Sequence, residues 1–134
     1  MKLLIDGAVF SQSQDQKVLD FWQQLIPRLI LRLRGAEIYY LNRNSDLDFP
    51  DITTLHNLYA PSVDFSLSAL EDRRLACLCR DLQIDVFIST YNTSAGSGVK
   101  TLFIDIDTEM LNVVTKVYIF SYSSPIKGEN VNIS

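Results

Sequence analysis

The chain has one histidine, His56, and two cysteines, Cys77 and Cys79, among 134 residues. Zinc sites draw four ligands from Cys, His and carboxylates, so a zinc centre is not expected, and no other metal or cofactor is called for. On a helix Cys77 and Cys79 point about 200° apart, which suits neither a disulfide nor a two-point metal grip. They read as reduced, buried thiols of a cytoplasmic protein. His56 has no serine or cysteine signature beside it and no second histidine, so a catalytic triad is not expected. The five glycines never fall in G-x-G-x-x-G or G-K-[ST] order, which removes the dinucleotide and P-loop fingerprints. No basic run exceeds Arg73-Arg74 and the net charge is −4, so nucleic acid is not an expected partner. No stretch approaches the ~20 apolar residues of a membrane span. The opening M-K-L-L-I-D-G is too short for a signal peptide and is broken by Asp6.

What is present is an ordinary globular composition, 47% hydrophobic and 21% charged, at the usual size of one domain. Short apolar runs alternate with helical periodicity. Leu3-Leu4-Ile5 reads as a buried strand ended by Asp6-Gly7, and residues 11–16 as a polar loop. Val18, Trp22, Leu25, Leu29 and Leu33 recur at helical spacing, with Pro27 expected to kink or split the helix. Gly35 is a suitable stop. E-I-Y-Y-L at 37–41 is a second strand, residues 42–51 a loop, and residues 52–58 hold a weaker strand. Ser68-Ala69-Leu70-Glu71 fits a capping box for a helix whose inner face is Leu75, Leu78, Cys79 and Leu82. Buried strands follow at 85–89 and 101–106, a final one at 113–122, and the tail from Pro125 reads as unstructured. These elements predict one α/β domain over residues 1–122, Rossmann-like, with a mostly parallel sheet, flanking helices, and a tail at 123–134.

Ligands of open α/β sheets bind beyond the carboxyl ends of the strands. Asp6-Gly7 offers backbone amides there, or is simply a strand-ending turn. The loop from Thr90 to Gly98 brings hydroxyls, an amide and an aromatic ring in Tyr91, Asn92, Thr93 and Ser94. That inventory suits a sugar or phosphate, although polar loops without any ligand share it. Asp105 and Asp107 lie on one side of their strand, where they would serve a cation or act as base, or be merely solvated.

The segment L-Q-I-D-V-F-I-S-T-Y-N-T-S (82–94), followed by V-K-T-L-F-I-D-I-D (99–107), resembles the "D-x-F-I-S-T-Y-Y-T … F-x-x-Y-D" segment of family-four GT-B glycosyltransferases. Leu3 to Gly7 with the Phe21-Trp22 helix resembles their first strand and helix, and the likeness covers about residues 1–110. It implies the acceptor-side half of a two-domain transferase, with the donor-binding half absent and Ser11-Gln12-Ser13-Gln14 where a glycine-rich loop would stand. The expected function is therefore a truncated glycosyltransferase-like module that binds a sugar, a nucleotide or a protein without transfer on its own. The alternative is an acceptor-binding subunit completed by a separate donor-binding chain. Either way Asp6, Gly7, Tyr91, Asn92, Thr93, Ser94 and Asp107 are the expected ligand contacts.

Self-association into a dimer or tetramer is also expected. Leu25, Ile26, Leu29, Ile30, Leu31 and Leu33 encircle more of the first helix than one sheet face covers, and 113–122 offers an edge strand.

Overall fold

The computed structural model describes residues 1–33, 35–43, 55–91, 93–96, 99–106, 115–120 and 129–133. Seven strands form one sheet: β1 (Lys2–Asp6), β2 (Glu37–Arg43), β3 (Leu55–Ala60), β4 (Val86–Ser89), β5 (Lys100–Ile106), β6 (Thr115–Phe120) and β7 (Glu129–Ile133). Their order is β3-β2-β1-β4-β5-β6-β7. The first five run parallel, and β6 and β7 add antiparallel. This is the Rossmann-like α/β architecture that the alternating pattern implies.

Two helices sandwich the parallel strands, and alternation along each strand divides the core. Leu3, Ile5, Ile38, Tyr40, Leu55 and Ile88 pack with Trp22, Ile26 and Ile30 of α2 (Gln16–Arg32). Leu4, Leu41 and Phe87 face the other way, onto Leu75 and Cys79 of α3 (Ser68–Leu82). A strand covered on both sides reads as a continuous apolar run, which is why Leu3-Leu4-Ile5 is so compact a signal.

Helix ends follow local chemistry. Asp15 caps α2 by accepting from the Lys17 amide at 3.0 Å. Pro27 does not split α2, which continues to Arg32. Proline removes one donor, and burial of Trp22, Ile26 and Ile30 on one face holds the rest together. Gly35 takes a φ of 90° just after the helix, open only to glycine without strain. At the end of α3 it is Gln83 that turns left-handed, while the Ile84 amide reaches back to the Cys79 carbonyl at 2.8 Å.

Four expectations need correction. Residues 9–12 form a short helix, α1 (Val9–Gln12), which takes in the first two residues of the segment 11–16 that reads as a polar loop. The segment from Pro125 is not wholly without structure, because β7 pairs with β6 there. For the same reason 115–120 is an inner strand and no edge. The capping box does not form: Leu67 is the cap residue of α3 and makes no side-chain bond, and Glu71 is drawn inside by Arg43. One further reading was half right, since Cys79 is buried and Cys77 exposed. Residues 200° apart on a helix cannot share its inner face.

Candidate site at the carboxyl edge of the sheet

Strand order reverses direction around β1: the chain builds outward through β2 and β3, then crosses to β4 on the other side. The loops after β1 and β4 therefore meet at the carboxyl edge, the usual ligand crevice of open α/β sheets. Here that crevice is laced shut. The Thr90 hydroxyl donates to the Asp6 carbonyl and accepts from the Val9 amide at 3.0 Å. The Gly7 amide donates to the Leu41 carbonyl at 2.9 Å, and the Phe10 amide to the Gly7 carbonyl at 3.2 Å. The Gly7, Val9 and Phe10 amides, donors that a phosphate would need, are thus spent within the fold.

Below this crevice, on the α3 face, lies a buried charge cluster. Asp6 is wholly buried and Arg43 is 3% exposed. The guanidinium grips Asp6 with two bonds, Nε to Oδ1 at 3.0 Å and Nη2 to Oδ2 at 3.1 Å. Its Nη1 donates to Glu71 Oε2 at 3.1 Å and to the Pro61 carbonyl at 3.3 Å. Burial alone would lower the arginine pKa, but the bonds and charges of Asp6 and Glu71 outweigh it and raise the value, so Arg43 stays a cation. Burial and then the Asp6 charge push the Cys79 thiol up to about 12, which makes it inert as a nucleophile.

Arg43 and Glu71 were not among the sequence candidates. The pattern that points to them is parity: Asp6 lies two residues past buried Leu4, and Arg43 two past buried Leu41, on adjacent parallel strands. An acid and a base at the ends of neighbouring strands, both facing the same helix, are placed to pair.

Of the expected contacts, the structure brings some together and buries others. Asp6 is held by Arg43. Gly7 has no room for a side chain, since a Cβ there would stand 2.6 Å from the Tyr40 ring carbon Cζ and 2.9 Å from the Leu41 carbonyl. Thr93 is buried, its amide on the Ser89 hydroxyl at 2.9 Å and its own hydroxyl 3.1 Å from the same oxygen. Ser94 is half-buried and accepts from the Gly96 amide at 3.2 Å. Tyr91 is half-buried and packs against the core under α2. Asn92 and Asp107 lie outside the described residues; Asp105, in β5, stands opposite Lys116 of β6. No protein-family model, curated protein or solved structure matches the chain. Among the described residues no group of histidine, cysteine and carboxylate side chains gathers that could hold a metal ion. None of the described helices is long and apolar enough to cross a membrane.

His56 sits at the opposite edge. It is exposed, stacks on Tyr39 with ring centroids 4.8 Å apart, and approaches Glu37 at 3.6 Å.

Proposed function

We propose that the chain is a binding module of the glycosyltransferase N-terminal type, which self-associates and transfers no sugar by itself. Its ligand is a sugar or nucleotide, or a protein, received at the carboxyl edge of the sheet. One observation carries the non-catalytic reading: the Asp6 carboxylate and the Gly7 and Val9 amides are all engaged inside the fold. Transfer needs a base or pre-aimed donors at the reacting sugar, and these groups are neither free nor aimed outward. Ligand contact then falls to the loop after β4, through half-buried Tyr91 and Ser94 with buried Thr93 behind them; Asn92 and Asp107 are further proposed contacts, and Asp6-Gly7 is the floor.

The test is an NMR titration of the isolated chain with nucleotides, nucleotide-sugars and simple glycans, run beside a turnover assay. Expected are shifts within 90–98 and around Gly7, with no turnover. Sustained transfer that Asp107→Ala abolishes overturns the non-catalytic reading, and shifts confined to the amino edge reject the site.

The second reading, an acceptor-binding subunit completed by a separate chain, is favoured by Leu67 and Leu70. Both are exposed at the start of α3, on the same edge. In that case an added donor-binding half restores transfer, and Leu70→Asp prevents it.

Self-association cannot rest on α2 as the periodicity suggests. Of Leu25, Ile26, Leu29, Ile30, Leu31 and Leu33 only Leu31 is exposed; Ile26 and Ile30 are core residues. Ile30→Glu therefore unfolds the domain instead of releasing monomers.

A further inference from the structure

We infer that two copies of the chain join edge to edge through β3, antiparallel about a two-fold axis that passes beside Asn57. The inference rests on the self-association reading above and names its surface. β3 ends the sheet, and among the described residues no strand pairs with its outer side. An edge strand presents a row of backbone donors and acceptors, which proteins ordinarily guard with lysine, proline, a bulge or shortness. This one, L-H-N-L-Y-A, runs six residues with no lysine, arginine, acid, proline or glycine in it. It also carries the most exposed large hydrophobic side chain of the described residues, Tyr59 at 71%.

Self-complementarity selects a second copy as the occupant. Leu55 belongs to the core under α2, whereas Leu58 and Ala60 pack with the core under α3. By alternation Leu55, Asn57 and Tyr59 share the α2 face, and His56, Leu58 and Ala60 the α3 face. A two-fold axis normal to the sheet keeps like faces together, so only residues of one face stand opposite each other. Centred on Asn57, it sets Leu55 against the second copy's Tyr59, His56 against Leu58, and Asn57 against Asn57. Both exposed tyrosines gain an apolar cross-strand neighbour, and no like charges meet. Pro61, which has no N–H to give, stays outside the ladder.

Light scattering at micromolar concentration, with Asn57→Lys and Asn57→Glu, decides the matter. Asn57 is exposed, so neither change disturbs the core. Wild type should weigh at least twice 15.2 kDa. Each variant should halve that mass with an unchanged melting curve, because like charges then face each other across the axis. Mixing the two variants in equal amounts should restore the heavier species, since opposite charges now meet. A wild type of 15.2 kDa overturns both this inference and self-association. A heavy wild type whose variants stay equally heavy overturns edge pairing through β3 and leaves self-association standing. Variants that dissociate but do not recombine on mixing overturn the Asn57-centred register. Should either variant melt early, Tyr59→Lys provides the same reading from the end of the strand.

Discussion

The two ends of the same parallel strands carry clusters of the same chemical types, treated in opposite ways. At the amino end Glu37 takes a bond from the Tyr39 hydroxyl at 2.7 Å and lies 3.9 Å from the Lys2 ammonium, with His56 alongside. All of these groups are in contact with water. At the carboxyl end Asp6, Arg43 and Glu71 are closed in between the sheet and α3, with every pairing near 3 Å. Water screens and competes at the first end, so the cluster is worth little to stability. At the second end burial keeps bulk water from replacing a lost partner. Each charge depends on the others, and removing one is more damaging than never having had any. The difference lies in depth and not in residue type.

Removing the central cation should produce the largest effect. Arg43→Met leaves Asp6 buried without its cation and Glu71 with only the exposed Arg74 at 3.8 Å, and should cost about 3–5 kcal/mol in denaturant unfolding. Replacing Asp6, Arg43 and Glu71 together with leucine, methionine and leucine should recover most of that loss. If the single and triple variants are equally unstable, the cluster is not the interdependent unit described here. Glu37→Gln, its counterpart at the exposed end, should leave the midpoint where it is.

Closer to the crevice, Thr90→Val keeps the shape of the side chain and removes both of its bonds. The Val9 amide then loses the partner it has in Thr90, a loss of about 2 kcal/mol. Amide exchange at Val9 should quicken in step. A protected Val9 in the variant would mean that the crevice is closed by packing instead.

Gly7→Ala probes the same floor from the backbone. Its methyl group would collide with the Tyr40 hydroxyl and ring, so β2 or the ring must move. The expected loss is about 1–2 kcal/mol, as for an overpacked core. Combining it with Tyr40→Phe should relieve part of the strain, which a double-mutant cycle would measure.

The smallest effect belongs to the exposed end and shows in pH. The Tyr39 hydrogen bond holds the Glu37 carboxyl below its ordinary value of 4.5, chiefly through that bond and secondarily through Lys2 and His56. Its contribution is thus present above 4.5 and fades as pH falls through the lower folded value. The same bond raises Tyr39 above 10.0, so the contact survives below that pH and is lost as pH rises through the folded value. Carboxyl NMR titration of Tyr39→Phe should bring Glu37 back toward its ordinary pKa while stability barely changes. A Glu37 titration untouched by the substitution would place the cause elsewhere.

By itself the sequence determined the fold class. Leu3-Leu4-Ile5 and V-F-I-S announce strands buried on both faces, and Val18, Trp22, Leu25, Leu29 and Leu33 announce the helix that covers one of them, because these signals are local and periodic; the face it buries most deeply, Trp22, Ile26 and Ile30, lies to one side of that stripe. The sequence also pointed to the carboxyl ends of the strands as the place for a ligand, whereas the strand order that brings the loops after β1 and β4 together belongs to the sheet. What it left open is the engagement of each polar group there. Asp6 as ligand contact and Asp6 as partner of Arg43 look the same along the chain. Their pairing depends on β2 lying beside β1 in one register, which brings together residues 37 positions apart. Thr90 reaches 81 residues back to Val9 in the same manner. The exposure of β3 is likewise invisible in L-H-N-L-Y-A, because being an edge is a property of the sheet and not of the strand. Charge depth, hydrogen-bond partners and edges are consequences of what is packed next to what, and only the tertiary structure decided them.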